Sequence, residues 1–118
     1  MTDAADLARQ LADAADAVPK QLEPVVLRGA LDIKDDARAR LRRSSDRRGE
    51  FAANLISADG DGLTAEVGYT YRDYEPVCRA LEFGTSHTAP VGALGGAADG
   101  EVADFADAVE KVVARAWR

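Results

Sequence analysis

An α+β fold is predicted for this chain, because its apolar spacing switches from a helical period to a strand period and back again. Residues 4–43 carry helical stripes, residues 63–71 alternate strictly, and residues 101–118 return to helical spacing. At 118 residues without a long polar interruption the chain is expected to form a single domain over 1–118. That domain divides into a helical part (1–43), a sheet part (51–83), a loop (84–100) and a C-terminal helix (101–118).

Two N-terminal helices are expected. The first, over residues 4–18, places Leu7, Leu11, Ala14, Ala15 and Val18 at helical spacing, with Asp3 or Thr2 as a cap. It is expected to stop before Pro19. The second, over 21–43, repeats Leu22, Val25, Val26, Gly29, Ala30, Ile33, Ala37 and Leu41 at steps of three and four, with Pro24 in its first turn. Gly29 on that apolar face permits close approach of another element.

Residues 42–50 are polar, basic and glycine-terminated and read as a loop. A strand over 51–57, a turn at Ala58-Asp59-Gly60-Asp61-Gly62 and a strand over 63–71 read as an antiparallel β-hairpin. The turn has too few oxygen ligands for a calcium loop. Pro76, and Val77 and Leu81 four apart, suggest a short helix over 73–81. Residues 84–100, with five glycines and four alanines and no apolar period, read as a long Gly-rich loop, expected to be mobile until a partner orders it. The closing helix carries Val102, Phe105, Ala106, Val109, Val112, Val113, Ala116 and Trp117 as its apolar stripe, with Phe105, Val109 and Trp117 expected inside.

Composition narrows the function classes. Alanine supplies 24 of the apolar residues, leaving ten Leu, ten Val, two Ile and seven aromatics. Alanine buries little area, so the core is thin and burial is expected to be completed against neighbouring subunits. A net charge of -6 argues against a dedicated nucleic-acid binder. The average hides six arginines, Arg38, Arg40, Arg42, Arg43, Arg47 and Arg48, which form either a solvated helix end or a contact patch for an acidic subunit or for DNA. One cysteine, Cys78, has no disulfide partner in the chain, which fits a reducing cytosol, and is expected to be a small buried side chain. No stretch reads as a membrane span, and the acidic start lacks the basic-then-apolar order of a signal peptide.

Catalysis is not expected. His87 is the single histidine, and adjacent Ser86 is poorly placed to share a hydrogen bond with it as a nucleophile. One His and one Cys fall short of a structural zinc site. Gly92, Gly95 and Gly96 lack the Gly-Lys-Ser/Thr of a phosphate loop.

The most distinctive run is Leu81-Glu82-Phe83-Gly84-Thr85-Ser86, with Pro90 beyond it and Val67-Gly68 before it. With these motifs the chain resembles the tail-completion, or head-tail joining, proteins of long-tailed bacteriophages, the group that includes proteins similar to the minor tail protein Z of phage lambda. The resemblance implies a structural virion protein of the neck. It would be assembled in the bacterial host cytoplasm and located at the head-tail junction. The implied partners are further copies of itself in a ring, six-fold or alternatively twelve-fold, and the connector or stopper, tail terminator and major tail proteins around it. Double-stranded DNA would pass through the lumen without sequence-specific binding, helped by an acidic wall. Neither cofactor nor membrane is implied.

The resemblance points to Glu82, Phe83, Gly84, Thr85, Ser86 and Pro90 as assembly residues, and Val91 and Leu94 join them as the sizeable apolar side chains of the loop, where the chain departs from the family's pattern. Glu82 would fix the following loop through its backbone amides or meet a neighbour's arginine. Two other readings stay open: a tail terminator or head-tail adaptor of the same particle, and a small DNA-associated regulatory module using the arginine cluster.

Overall fold

The computed structural model describes residues 4–70 and 74–116. Helix α1 (Ala4–Arg43) is followed by short helix α2 (Arg48–Ala53), strands β1 (Ile56–Asp61) and β2 (Thr64–Tyr69), helix α3 (Glu75–Phe83) and helix α4 (Ala93–Ala116). The fold is α+β, mostly helical, with one two-stranded antiparallel sheet. The proposed caps Thr2 and Asp3, the strand residue Tyr71, and Trp117 lie outside the described residues.

The two expected N-terminal helices are one. Pro19 and Pro24 sit inside α1, where each removes an N–H that would have reached the carbonyl four residues back. Both prolines are exposed, so the freed carbonyls of Ala15 and Lys20 face water and the helix continues. A helix of 40 residues spans about 60 Å, and the molecule measures 67 × 23 × 20 Å, so α1 is its long axis.

Helix α4 runs antiparallel along α1. A side chain at Gly96 would meet Arg40, one at Gly100 would approach Arg40 and Asp36, and the Phe105 ring lies over Gly29. On that register α4 runs out near Val18, and the first turns of α1 project as an arm with Leu7 and Leu11 each 48% exposed. The close approach expected at Gly29 is present, 3.1 Å from its Cβ position to the Phe105 ring.

Four further expectations are corrected. The strand placed at 51–57 is helix α2 through Ala53, and the polar loop expected over 42–50 is shorter. The Asp46 carboxylate accepts the Arg48 N–H at 2.9 Å and starts α2 there. Strand β1 continues to Asp61, so the turn narrows to Gly62 and Leu63 between the paired residues Asp61 and Thr64. Gly62 takes φ 62, the positive value a II′-type hairpin needs at its first turn position. The Gly-rich loop of 84–100 ends at Gly92, because Ala93 already belongs to α4.

The core gathers Leu41, Ile56 and Leu81 with Ala37, Ala52, Ala53, Ala93 and Ala97. Alanine is what lets α1, α2 and α4 approach closely around those three larger side chains. Val112 is buried as expected of the last helix, whereas Phe105 is 37% exposed and Val102 65% exposed, so part of that stripe faces out. Cys78 is buried, and burial pushes its thiol pKa up, leaving it inert.

Candidate functional site

The run from Leu81 to Leu94 forms a clasp between α3 and α4. Leu81 is buried in the core, and its carbonyl accepts the N–H of Val91 at 2.7 Å and of Gly92 at 3.2 Å. Gly84 ends α3 with φ 78 and its N–H bonded to the Ala80 carbonyl. A Cβ there would lie 2.9 Å from Pro90 and from the Thr88 carbonyl, so only glycine fits.

The Thr85 hydroxyl accepts the N–H of His87 at 3.2 Å and of Thr88 at 3.1 Å, and the Thr85 N–H donates to the Thr88 carbonyl at 2.9 Å. Residues 85–88 are therefore a closed turn. Glu82 then bridges to α4, its two carboxylate oxygens accepting the N–H of Leu94 at 2.9 Å and of Gly95 at 3.0 Å. Helix α4 has no acidic residue in its own first turn, so Glu82 supplies the negative charge that its N-terminus favours.

The candidate assembly residues thus divide. Glu82, Gly84, Thr85, Val91 and Leu94 hold the clasp together within one chain, and Pro90 closes it against Gly84. Phe83, 76% exposed, points away from it, and Ser86 lies exposed in the turn. The expectation of a loop held only by partners fails for a local reason: its backbone amides are already bonded to Leu81 and Glu82.

The six arginines do not form one basic face. Arg38 donates to the Ile56 carbonyl at 2.8 Å, and its Nε is buried without a partner. Arg40 pairs with Asp36 at 3.2 Å. Arg42 reaches the Asn54 side chain at 3.4 Å. Arg48 pairs with Asp46 at 2.7 Å, which holds the Asp46 carboxyl down at about 2. Arg43 and Arg47 make no ion pair among the described residues. Arg40 and Arg43 line a groove of about 550 Å³ whose other wall is Thr88 to Val91, joining the basic cluster to the clasp.

Tyr69 lies on β2 beside the core, its hydroxyl buried without a hydrogen bond. Burial, then the nearby Glu82 charge, pushes its pKa far up and keeps the phenol neutral. Among the described residues no group of three His, Cys, Asp or Glu is placed to hold a metal, and no helix is long and apolar enough to cross a membrane.

Two surfaces were not singled out from the sequence. One is an apolar trough of about 410 Å³ between α1, β2 and α4, floored by Gly29 and Ala30 and edged by Leu63, Val102 and Phe105. The small residues of α1 were its sequence signal. The other is an exposed aromatic pair, Phe51 and Tyr74, with ring centroids 4.8 Å apart at 72°. Nothing local announces it, because its members lie on α2 and at the start of α3. Compared with family models, with curated proteins and with solved structures, the chain matches none.

Proposed function

We propose that this protein is a structural subunit of a bacteriophage neck, a tail-completion protein that forms a ring between the head connector and the tail tube. The reading draws on the Val67-Gly68, Leu81 to Ser86 and Pro90 motifs. One structural observation carries it. Among the described residues ten large hydrophobic side chains are exposed, against Leu41, Ile56 and Leu81 as the largest fully buried ones. Apolar surface distributed in that way, on an elongated body with a projecting helical arm, is what a subunit completing its burial against neighbours presents.

In this reading the ring is six-fold, with twelve-fold as the alternative, and DNA passes through it unread. The work is docking, with no bond made or broken. A tail terminator or head-tail adaptor would present the same features and differ in its neighbours. The DNA-associated module has less support, because Arg38, Arg40 and Arg48 are engaged within the chain.

The test is sedimentation velocity with negative-stain imaging of the purified chain, together with joining of heads and tails of its own phage prepared without it. Closed rings and restored joining are expected. A chain that stays monomeric and restores nothing, while binding DNA in a salt-sensitive way, would replace this reading with the DNA-associated one.

A further inference from the structure

The groove between the end of α1 and the clasp is cationic on balance. Arg40, Arg43 and Ser45 stand on one wall, Thr88 to Val91 on the other, and Asp46 is the acid in its lining. That carboxylate is already engaged. Its oxygens accept the Arg48 Nε–H at 3.0 Å, the Nη2–H at 2.7 Å and the Arg48 backbone N–H at 2.9 Å. A helix C-terminus by itself repels an anion, but here the Leu41 carbonyl accepts the Ser44 N–H at 3.2 Å and the Ser44 hydroxyl at 2.7 Å. Arg40, Arg42 and Arg43 then make the last turn of α1 positive. The donors in the groove are held in place and open. Arg40 gives its Nε–H to Asp36 at 3.2 Å, and its guanidinium lies over Gly96 of α4, where a Cβ would fall 2.5 Å from Nη1. Glycine at 96 leaves the room that this group occupies. The Nη protons of Arg40 make no hydrogen bond among the described residues, Arg43 makes no ion pair among them, and Ser45 is exposed.

We propose that this groove binds a phosphate group, with the Arg40 and Arg43 guanidinium groups and the Ser45 hydroxyl donating to its oxygens. Arg40 and Arg43 are one helical turn apart and face the same groove, so two planar forks converge on one anion. A phosphate presents oxygens in several directions, which suits donors arriving from a helix and from the connection that follows it, whereas a carboxylate presents two oxygens in one plane. The opposite wall is apolar at Ala89, Pro90 and Val91, and the groove, at about 550 Å³, is larger than a bare phosphate fills. The phosphate of a nucleotide or of a nucleic-acid backbone therefore fits, with its sugar against Pro90. The site is complete within one chain, so it does not depend on the ring reading above.

The test follows the arginine Nε–H signals of the full-length chain by nuclear magnetic resonance. Three probes are titrated: inorganic phosphate, a deoxynucleoside 5′-monophosphate and a short DNA duplex of mixed sequence. Saturable shifts at Arg40 and Arg43 are expected with inorganic phosphate and not with sodium chloride at equal ionic strength. Arg43→Gln is expected to keep the wild-type circular dichroism melt, because Arg43 is exposed and unpaired, and to weaken phosphate binding about tenfold or more, as loss of a charge-assisted hydrogen bond does. Arg43→Lys, which keeps the charge and loses the fork, should fall between the two. A mononucleotide that binds more tightly than phosphate supports the site and gives it to a nucleotide. A duplex that binds more tightly still, with a salt slope shallower by about one in Arg43→Gln, supports it and gives it to the nucleic-acid backbone. Absence of a saturable shift with all three probes overturns the site. So do shifts that chloride reproduces, or equal affinity in wild type and Arg43→Gln. Should Arg43→Gln lower the melt, Ser45→Ala at an exposed side chain decides in its place by the same weakening or its absence.

Discussion

Replacing Glu82 should release the start of α4. The carboxylate accepts two backbone N–H groups, at 2.9 and 3.0 Å, from a helix that opens on Ala93-Leu94-Gly95-Gly96. Each glycine within a helix costs roughly 1 kcal/mol relative to alanine, so this first turn depends on its cap. A side-chain cap contributes about 1–2 kcal/mol, and a negative charge at the helix N-terminus adds about 0.5 kcal/mol. Glu82→Ala should therefore cost about 2 kcal/mol. Glu82→Gln keeps one acceptor oxygen but sets an amide NH₂ against the second N–H, and should cost about 1 kcal/mol. At about 4 °C per kcal/mol these become falls in Tm of about 8 °C and 4 °C. Urea titration at concentrations where the chain is monomeric gives the free energies, and hydrogen exchange should show the Leu94 and Gly95 amides losing protection first. If Glu82→Ala lies within about 0.5 kcal/mol of wild type, the clasp is held by the Leu81 carbonyl bonds and the capping argument is wrong.

Three other outcomes follow from the same geometry. A Cβ at Gly49 would collide with the Leu41 carbonyl and lie 2.6 Å from the Ser44 hydroxyl, so Gly49→Ala should cost about 2–3 kcal/mol in urea titration, while Gly68→Ala, with nothing within 4 Å, should change little. Pro19→Ala restores the N–H that α1 lacks toward Ala15, and should stabilise the helix by up to about 3 kcal/mol with little change in the far-ultraviolet helical signal; a large rise in that signal would mean that α1 is broken at Pro19 in the wild-type chain. The Asp46 pKa is lowered to about 2 by Arg48, first through the side-chain hydrogen bond, so the folded state favours the ionised carboxylate. Its small, solvent-screened stabilisation is complete above about pH 4, the unfolded value, and is lost as pH falls through about 2, so the urea midpoints of wild type and Asp46→Asn should converge between pH 5 and pH 2.

Much of the candidate site was legible because its logic is short-range. The short helix expected over 73–81 and the loop expected from Gly84 onward are close to what forms: α3 runs Glu75–Phe83, and Gly84 ends it and opens a turn. The binding of following backbone amides by Glu82 was also an expected role, and it is realised at Leu94 and Gly95. The helical start of α4 was not legible. Its signal is alanine, and Ala93 and Ala97 become informative only when the core closes over them. How the arginine cluster divides was not legible for a related reason. Adjacency in sequence suggests a shared patch, but successive helical residues point in different directions, and the carbonyl of Ile56 and the carboxylate of Asp36 each claim one guanidinium.

The sequence by itself determined the α+β class, the helical stripe of α1, the hairpin with glycine in its turn, and a core limited by alanine. Each of these is set by the spacing and volume of neighbouring residues, which a linear pattern records. Tertiary structure alone decided that α1 runs unbroken past two prolines, because the freed carbonyls happen to face water. It also decided that a glycine-rich run becomes helix, because a carboxylate twelve residues back reaches its first N–H groups. The apolar trough exists because Gly29 and Ala30 of α1 stand opposite Ala98 of α4. Such a juxtaposition belongs to no single segment, so it comes into being only when the elements pack.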